Sequence, residues 1–204
     1  MVFVAGIIGS ELAPTKSLST LPVATIVVGT ALSVIPVIRL MSIFGRKKVF
    51  LSACIYSILL IGLCIFSITK EIFFLFSFAS FCLGASVATM MQFRFAAIES
   101  VNPEQRASAT AVVLLGGLIS AFLGTEIATI GKSLLNTDFV GSFLLLAFLF
   151  IIAFLFMTFF EPAAKFKEHK EKSKRPLKDI ITQGSFIVAV SAATTGYVVM
   201  SFIM

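Results

Sequence analysis

The chain has 204 residues, 58% of them hydrophobic and only 13% charged, with a mean hydropathy of +1.07 and a net charge of +6. That excludes an ordinary soluble domain, in which about a quarter of the residues carry charge. Cys54, Cys64 and Cys82 all lie in apolar stretches without metal or disulfide spacing, so no metal and no cofactor is expected.

Residues 1–12 are apolar but too short to span a bilayer, and they lack the basic leader and cleavage site of a signal peptide. They read as the outer half of a first helix whose inner half is missing. After a turn at 13–19, long apolar blocks follow at 21–38, 49–69, 72–93, 107–131, 139–160 and 185–204. Each holds roughly 18–25 residues, which at ~1.5 Å per residue crosses a ~30 Å hydrocarbon core.

In the 21–38 block, Pro22 suits a first turn, and Pro36 predicts a kink near the end. Residues 41–48 form a basic connection containing Gly45, Arg46 and Lys47. Only Lys70 and Glu71 separate the next two blocks, which makes those helices antiparallel neighbours. Phe73, Phe74, Phe76, Phe78 and Phe81 show no clean helical face, which predicts lipid contact.

In the next connection, Asn102 suits an N-cap, Pro103 the first helical position and Glu104 the positive end of the helix dipole. The 107–131 block then carries Gly116, Ser120, Gly124 and Ala128 at four-residue spacing, beside Gly117, Ala121, Thr125 and Thr129. Small residues so spaced predict a helix-packing seam. Glu126 is an acidic residue well inside an apolar block. It is a candidate for proton coupling, or alternatively a carboxylate reaching the headgroups beside Lys132.

Joining the blocks alternately places Arg39, Arg46, Lys47, Lys48, Arg94, Arg106, Lys165, Lys167, Lys170, Lys172, Lys174, Arg175 and Lys178 on one side of the membrane. Lys16, Lys70 and Lys132 fall on the other. This bias makes the connections after the second, fourth and sixth helices cytoplasmic, in a multi-pass plasma (inner) membrane protein. The basic residues are thereby explained by topology and membrane lipid, and nucleic acid is not an expected partner. Three regions result: a helix bundle at 1–160, a charged cytoplasmic linker at 161–184 that includes His169, and the start of a further bundle at 185–204. The fold class is all-α, a polytopic membrane helical bundle.

Six helices, a long charged loop and a further helix resemble the N-terminal half of a major facilitator superfamily transporter. Gly45-Arg46-Lys47 matches the latter part of the family's G-x-x-x-D-R/K-x-G-R-R/K loop signature, with Ser42 in place of the Asp and Ile38 in place of the first Gly. Gly116-Gly117 followed by Gly124-Thr125 is similar to the Gly-rich antiporter motif, with Thr125 where Pro is usual. The family's fourth-helix Arg would fall at Ser80. Residues 92–106 and 110–128, with the end at 196–200, resemble a divergent bacterial branch.

The resemblance implies a secondary transporter working by alternating access between two six-helix halves, with proton-coupled efflux or exchange of a small molecule. Cavity contacts are then expected from Thr25, Thr30, Gln92 and Arg94. Arg94 has the further alternatives of gating or of pairing with Glu99, and Gly45, Arg46 and Lys47 form the gating loop. The opposed reading is a truncated, non-transporting fragment, or a half-transporter that needs a partner polypeptide for the missing C-terminal half. An intramembrane enzyme is not supported, because Glu126 has no second catalytic group at its depth. Alkaline phosphatase fused after Lys70 or Lys132 should be active, and inactive after Lys48, Arg106 or Lys170. The reverse pattern would invert the topology.

Overall fold

The computed structural model describes residues 2–132, 134–135, 139–160 and 182–203. The chain divides into two units, Met1–Ala164 and Lys165–Met204. The first holds α1 (Val2–Leu12), α2 (Leu21–Phe44), α3 (Arg46–Thr69), α4 (Phe73–Met90), α5 (Phe93–Glu99), α6 (Arg106–Lys132) and α7 (Val140–Phe159). In the second, α8 (Gly184–Ile203) is described. Most of the expected linker lies outside the described residues. Five helices are long and apolar enough to cross a membrane, and no strand occurs among the described residues. The fold is an all-α membrane helical bundle.

Backbone polar groups must be satisfied within each segment in hydrocarbon, so the apolar blocks become helices. Their ends differ from expectation in instructive ways. α2 passes through Pro36 and beyond Ile38 to Phe44, so the expected loop at 41–48 shrinks to Gly45. No helix breaker lies between Ile38 and that glycine, and Arg39 sits on a long stem that lets its charge reach water from within a helix. Gly45 has φ +82° and ψ 154°, a region essentially reserved for glycine, and its N–H closes α2 on the Met41 carbonyl at 3.0 Å.

At the far end of α3 the connection of Lys70, Glu71 and Ile72 is a Schellman turn. Ile72 N–H donates to the Ser67 carbonyl at 2.9 Å and Glu71 N–H to the Ile68 carbonyl at 3.1 Å. Glu71 takes the left-handed position, φ 54°, that glycine usually fills. The turn makes α3 and α4 packed antiparallel neighbours, as the short connection predicted.

The stretch after α4 is not a loop but the short helix α5. Asn102 forms no side-chain cap; its carbonyl accepts Gln105 N–H at 2.9 Å, and a 3-10 turn, Pro103–Gln105, precedes α6. The Phe-rich stretch divides. Phe74 and Phe78 are exposed as lipid contact requires, whereas Phe73 and Phe76 are buried and belong to the core.

α4 is the centre of the bundle, packed against α2 and α3, while α3 also packs on α7. Without a solvent-driven hydrophobic term, helices in lipid associate through close packing and polar contacts. Both are present here. Gly29 of α2 lies against the Phe81 carbonyl, and Gly84 of α4 lies against the Thr30 amide and the Ile26 carbonyl. The buried hydroxyls of Ser57 and Ser86 meet at 2.7 Å, tying α3 to α4. Ile61, Cys64, Phe76 and Ala79 fill the core between them.

The Gly29–Gly84 crossing has a direct consequence. Gly84→Ala should destabilise the bundle by about 1–3 kcal/mol, because its Cβ would strike backbone that cannot move aside. Gly62→Ala, on an open face of α3, should be neutral or stabilising by up to ~1 kcal/mol. Reversible unfolding in mixed micelles would measure both.

Candidate functional site

The Gly45 turn sends its two basic residues in different directions. Arg46 donates from Nη2 to Glu99 Oε1 of α5 at 2.5 Å, while its Nη1 is buried without a partner. Lys47 Nζ donates to the Thr158 carbonyl in the last turn of α7 at 2.7 Å. A cation there also complements the negative end of the α7 dipole. One turn deeper, Phe50 is buried between Phe93 and Phe160, with ring centroids 4.5 and 6.5 Å away. The first two turns of α3 therefore join α5 and the end of α7.

This arrangement sets aside one of the alternatives for Arg94, its pairing with Glu99. Glu99 is held by Arg46, whereas the Arg94 guanidinium lies 4.9 Å over the Phe95 ring. Arg94 makes no ion pair among the described residues. The signal missed was that Arg46, 53 positions from Glu99 in sequence, lies beside it once α2 runs straight into α3.

The four expected cavity residues do not converge. The Thr25 hydroxyl lies 2.8 Å from the Pro22 carbonyl and 3.1 Å from the Ser77 carbonyl, so it links α2 to α4. Thr30 donates to its own helix, to the Ile26 carbonyl at 2.8 Å, and is half-buried. Gln92 and Arg94 sit past the C-terminal end of α4, which is about 20 Å along the helix from the level of Ser77. Gln92 is half-buried and Arg94 exposed. Thr25 thus ties two helices together, Thr30 is satisfied within its own helix, and Gln92 and Arg94 lie at the basic end of the bundle.

On α6, Glu126 is exposed and makes no ion pair among the described residues. Lys132 lies with its ammonium 5.0 Å over the Phe139 ring. The small-residue stripe divides as well. Ala128 is buried and its carbonyl accepts the Ser142 hydroxyl at 2.8 Å, while Gly131 packs on the Ser142 backbone. Gly116, Gly117 and Gly124 face open space, and Ser120 and Ala121 are exposed. A groove of about 90 Å³ between α1, α6 and α7 is lined by apolar side chains and Ser142. No cluster among the described residues could hold a metal ion.

The Major Facilitator Superfamily profile matches residues 1–204. The chain belongs to the major facilitator superfamily. A curated relative, the riboflavin transporter RfnT of Brucella anthropi, is 30% identical over 212 residues. The alignment covers 100% of this chain and 52% of the relative, so the chain spans about half of that protein's length. No solved structure gives a significant match. The matched family and the aligned relative are both ones of membrane transport.

The Arg46–Glu99 pair is testable on its own. With Glu99 59% exposed, a double-mutant cycle of Arg46→Ala and Glu99→Ala should give a coupling of only about 0.2–1 kcal/mol in stability. A larger coupling in the micelle unfolding assay would show that the pair is shielded from water.

Proposed function

We propose that this chain forms the N-terminal half of a secondary transporter that moves riboflavin, or a closely similar flavin, by alternating access. The observation that carries the substrate is the alignment with a riboflavin transporter, which runs over the whole of the chain. The half-bundle architecture supports the mechanism. A well-packed α2–α3–α4 core stands beside α6, which buries only Ala128 and Gly131. The exposed apolar middle of α6 and the exposed side of α2, with Val28, Leu32 and Ile35, are surfaces for a second set of helices. The basic end carrying Arg39, Arg46, Lys47, Lys48, Arg94 and Arg106 faces the cytoplasm of the plasma (inner) membrane.

Proton-coupled efflux or exchange is the form of transport we propose, with Glu126 as the coupling carboxylate. It lies about 9 Å from the Lys132 end of α6. A charged carboxylate at such a depth is costly, which favours a group that cycles between protonated and wetted, ionised states. In proteoliposomes holding the complete transporter, unlabelled riboflavin inside should drive counterflow of labelled riboflavin. Absence of counterflow overturns the substrate. Glu126→Gln should abolish protonophore-sensitive, concentrative movement and spare counterflow; retained coupling overturns the carboxylate's role.

The second reading, a half-transporter that requires a partner polypeptide, rests on the same exposed face of α6. Coexpression of this chain with a separate polypeptide carrying the relative's remaining helices tests it. Restored counterflow supports assembly from two chains, and its absence supports a non-transporting fragment.

A further inference from the structure

We propose that Arg94 and Phe95, with Gln92, Met90 and Met91, form a stacking platform at the basic end of the bundle for a planar heteroaromatic ring with an imide edge. This rests on the flavin reading above, since an isoalloxazine ring is such a group. The argument begins with what α5 cannot do. Its inner face is fixed by Phe93 stacked on Phe50 at 4.5 Å, by buried Ala96 and by Glu99 held on Arg46. A seven-residue helix held at three points cannot rotate to hide its other side. Arg94 and Phe95 are therefore kept exposed, the latter at 42%.

Their chemistry is specific. The guanidinium carbon already lies over the Phe95 ring, 4.9 Å from its centroid, and is paired with no carboxylate among the described residues. A stacked guanidinium keeps its N–H donors in the plane, where they can meet ring carbonyls side by side. Gln92 makes no capping bond to α5, so its amide offers a donor and an acceptor matching an imide's C=O and N–H. Met90 and Met91, 41% and 42% exposed, add soft thioethers that favour aromatic edges and faces. Donor fork, amide, aromatic ring and sulfur lie within six consecutive residues at one end of α4. A solute with neither a flat ring nor carbonyl acceptors would leave most of these groups unused.

The test is riboflavin counterflow by the complete transporter with three variants. Arg94→Lys keeps the charge that sets topology but removes the planar fork. Phe95→Leu removes the ring, and Phe95→Tyr restores it. Arg94→Lys and Phe95→Leu should each raise KM about tenfold, with the maximal rate and the amount of protein in the membrane near wild type. Phe95→Tyr should return KM to near wild type, a rescue that a role in packing alone would not single out by ring. An unchanged KM in Arg94→Lys and Phe95→Leu, or a Phe95→Tyr variant no better than Phe95→Leu, overturns the platform and leaves the riboflavin reading standing. If the KM shifts vanish when anionic lipid is omitted, the patch binds headgroups and the platform is likewise overturned. Wild-type protein that moves no riboflavin overturns both.

Discussion

The bundle depends on the approach of two backbones. Where α2 crosses α4, Gly29 and Gly84 leave no room for a Cβ on either side. Lipid tails are as apolar as leucine, so burying leucine against leucine contributes little to helix association in a membrane. What remains is dispersion between closely packed backbones and the satisfaction of hydroxyls. The crossing supplies the first. The Thr25 hydroxyl at the Ser77 carbonyl and the Ser57–Ser86 pair supply the second. α4 is consequently held between α2 and α3, and the position of α5 beyond it follows.

A different logic operates at the basic end. There the contacts are charge on carboxylate, charge on carbonyl and ring on ring, all radiating from the first two turns of α3. Arg46, Lys47 and Phe50 are ordinary choices singly. Their joint effect arises because Gly45 reverses the chain in one residue, which puts the start of α3 between α5 and the end of α7. With any other residue at Gly45, about 1–3 kcal/mol of backbone strain would oppose that reversal. The family's loop signature is degraded here at Ser42, yet a charge pair at this end survives through Arg46.

Length and hydropathy made the spans legible, because a bilayer imposes nearly the same demand on every crossing helix. The short connection at Lys70 and Glu71 was legible for the same reason: two residues permit little besides an antiparallel return. Helix ends were less so. Arg39 and Arg94 fall outside the apolar blocks because they are charged, but at an interface a charged side chain can leave the helix for water while its backbone stays helical. The hydroxyls carry a related ambiguity. In lipid, a threonine such as Thr25 or Thr30 is as readily satisfied by a backbone carbonyl as by a solute, and sequence does not distinguish the two. Gly29 and Gly84 did carry a readable signal, since an isolated glycine in an apolar helix usually marks close approach.

That stripe and Glu126 share one physical situation. Most of α6 is open to its surroundings, with its packing concentrated on α5 near its start and on α7 near Gly131. A helix whose glycines face open space gains no close packing there, and an ionised carboxylate in hydrocarbon would cost up to ~2.5–3.5 kcal/mol at the bilayer centre on insertion scales and less toward the interface. Both features become favourable against a polar or close-packed surface, glycine by admitting a backbone and glutamate by finding water, a proton or a donor. The α2–α4 crossing shows what glycines accomplish when such a surface is present. The contrast between a satisfied pair on α2 and α4 and an open row on α6 divides the bundle into a close-packed part and a part left open.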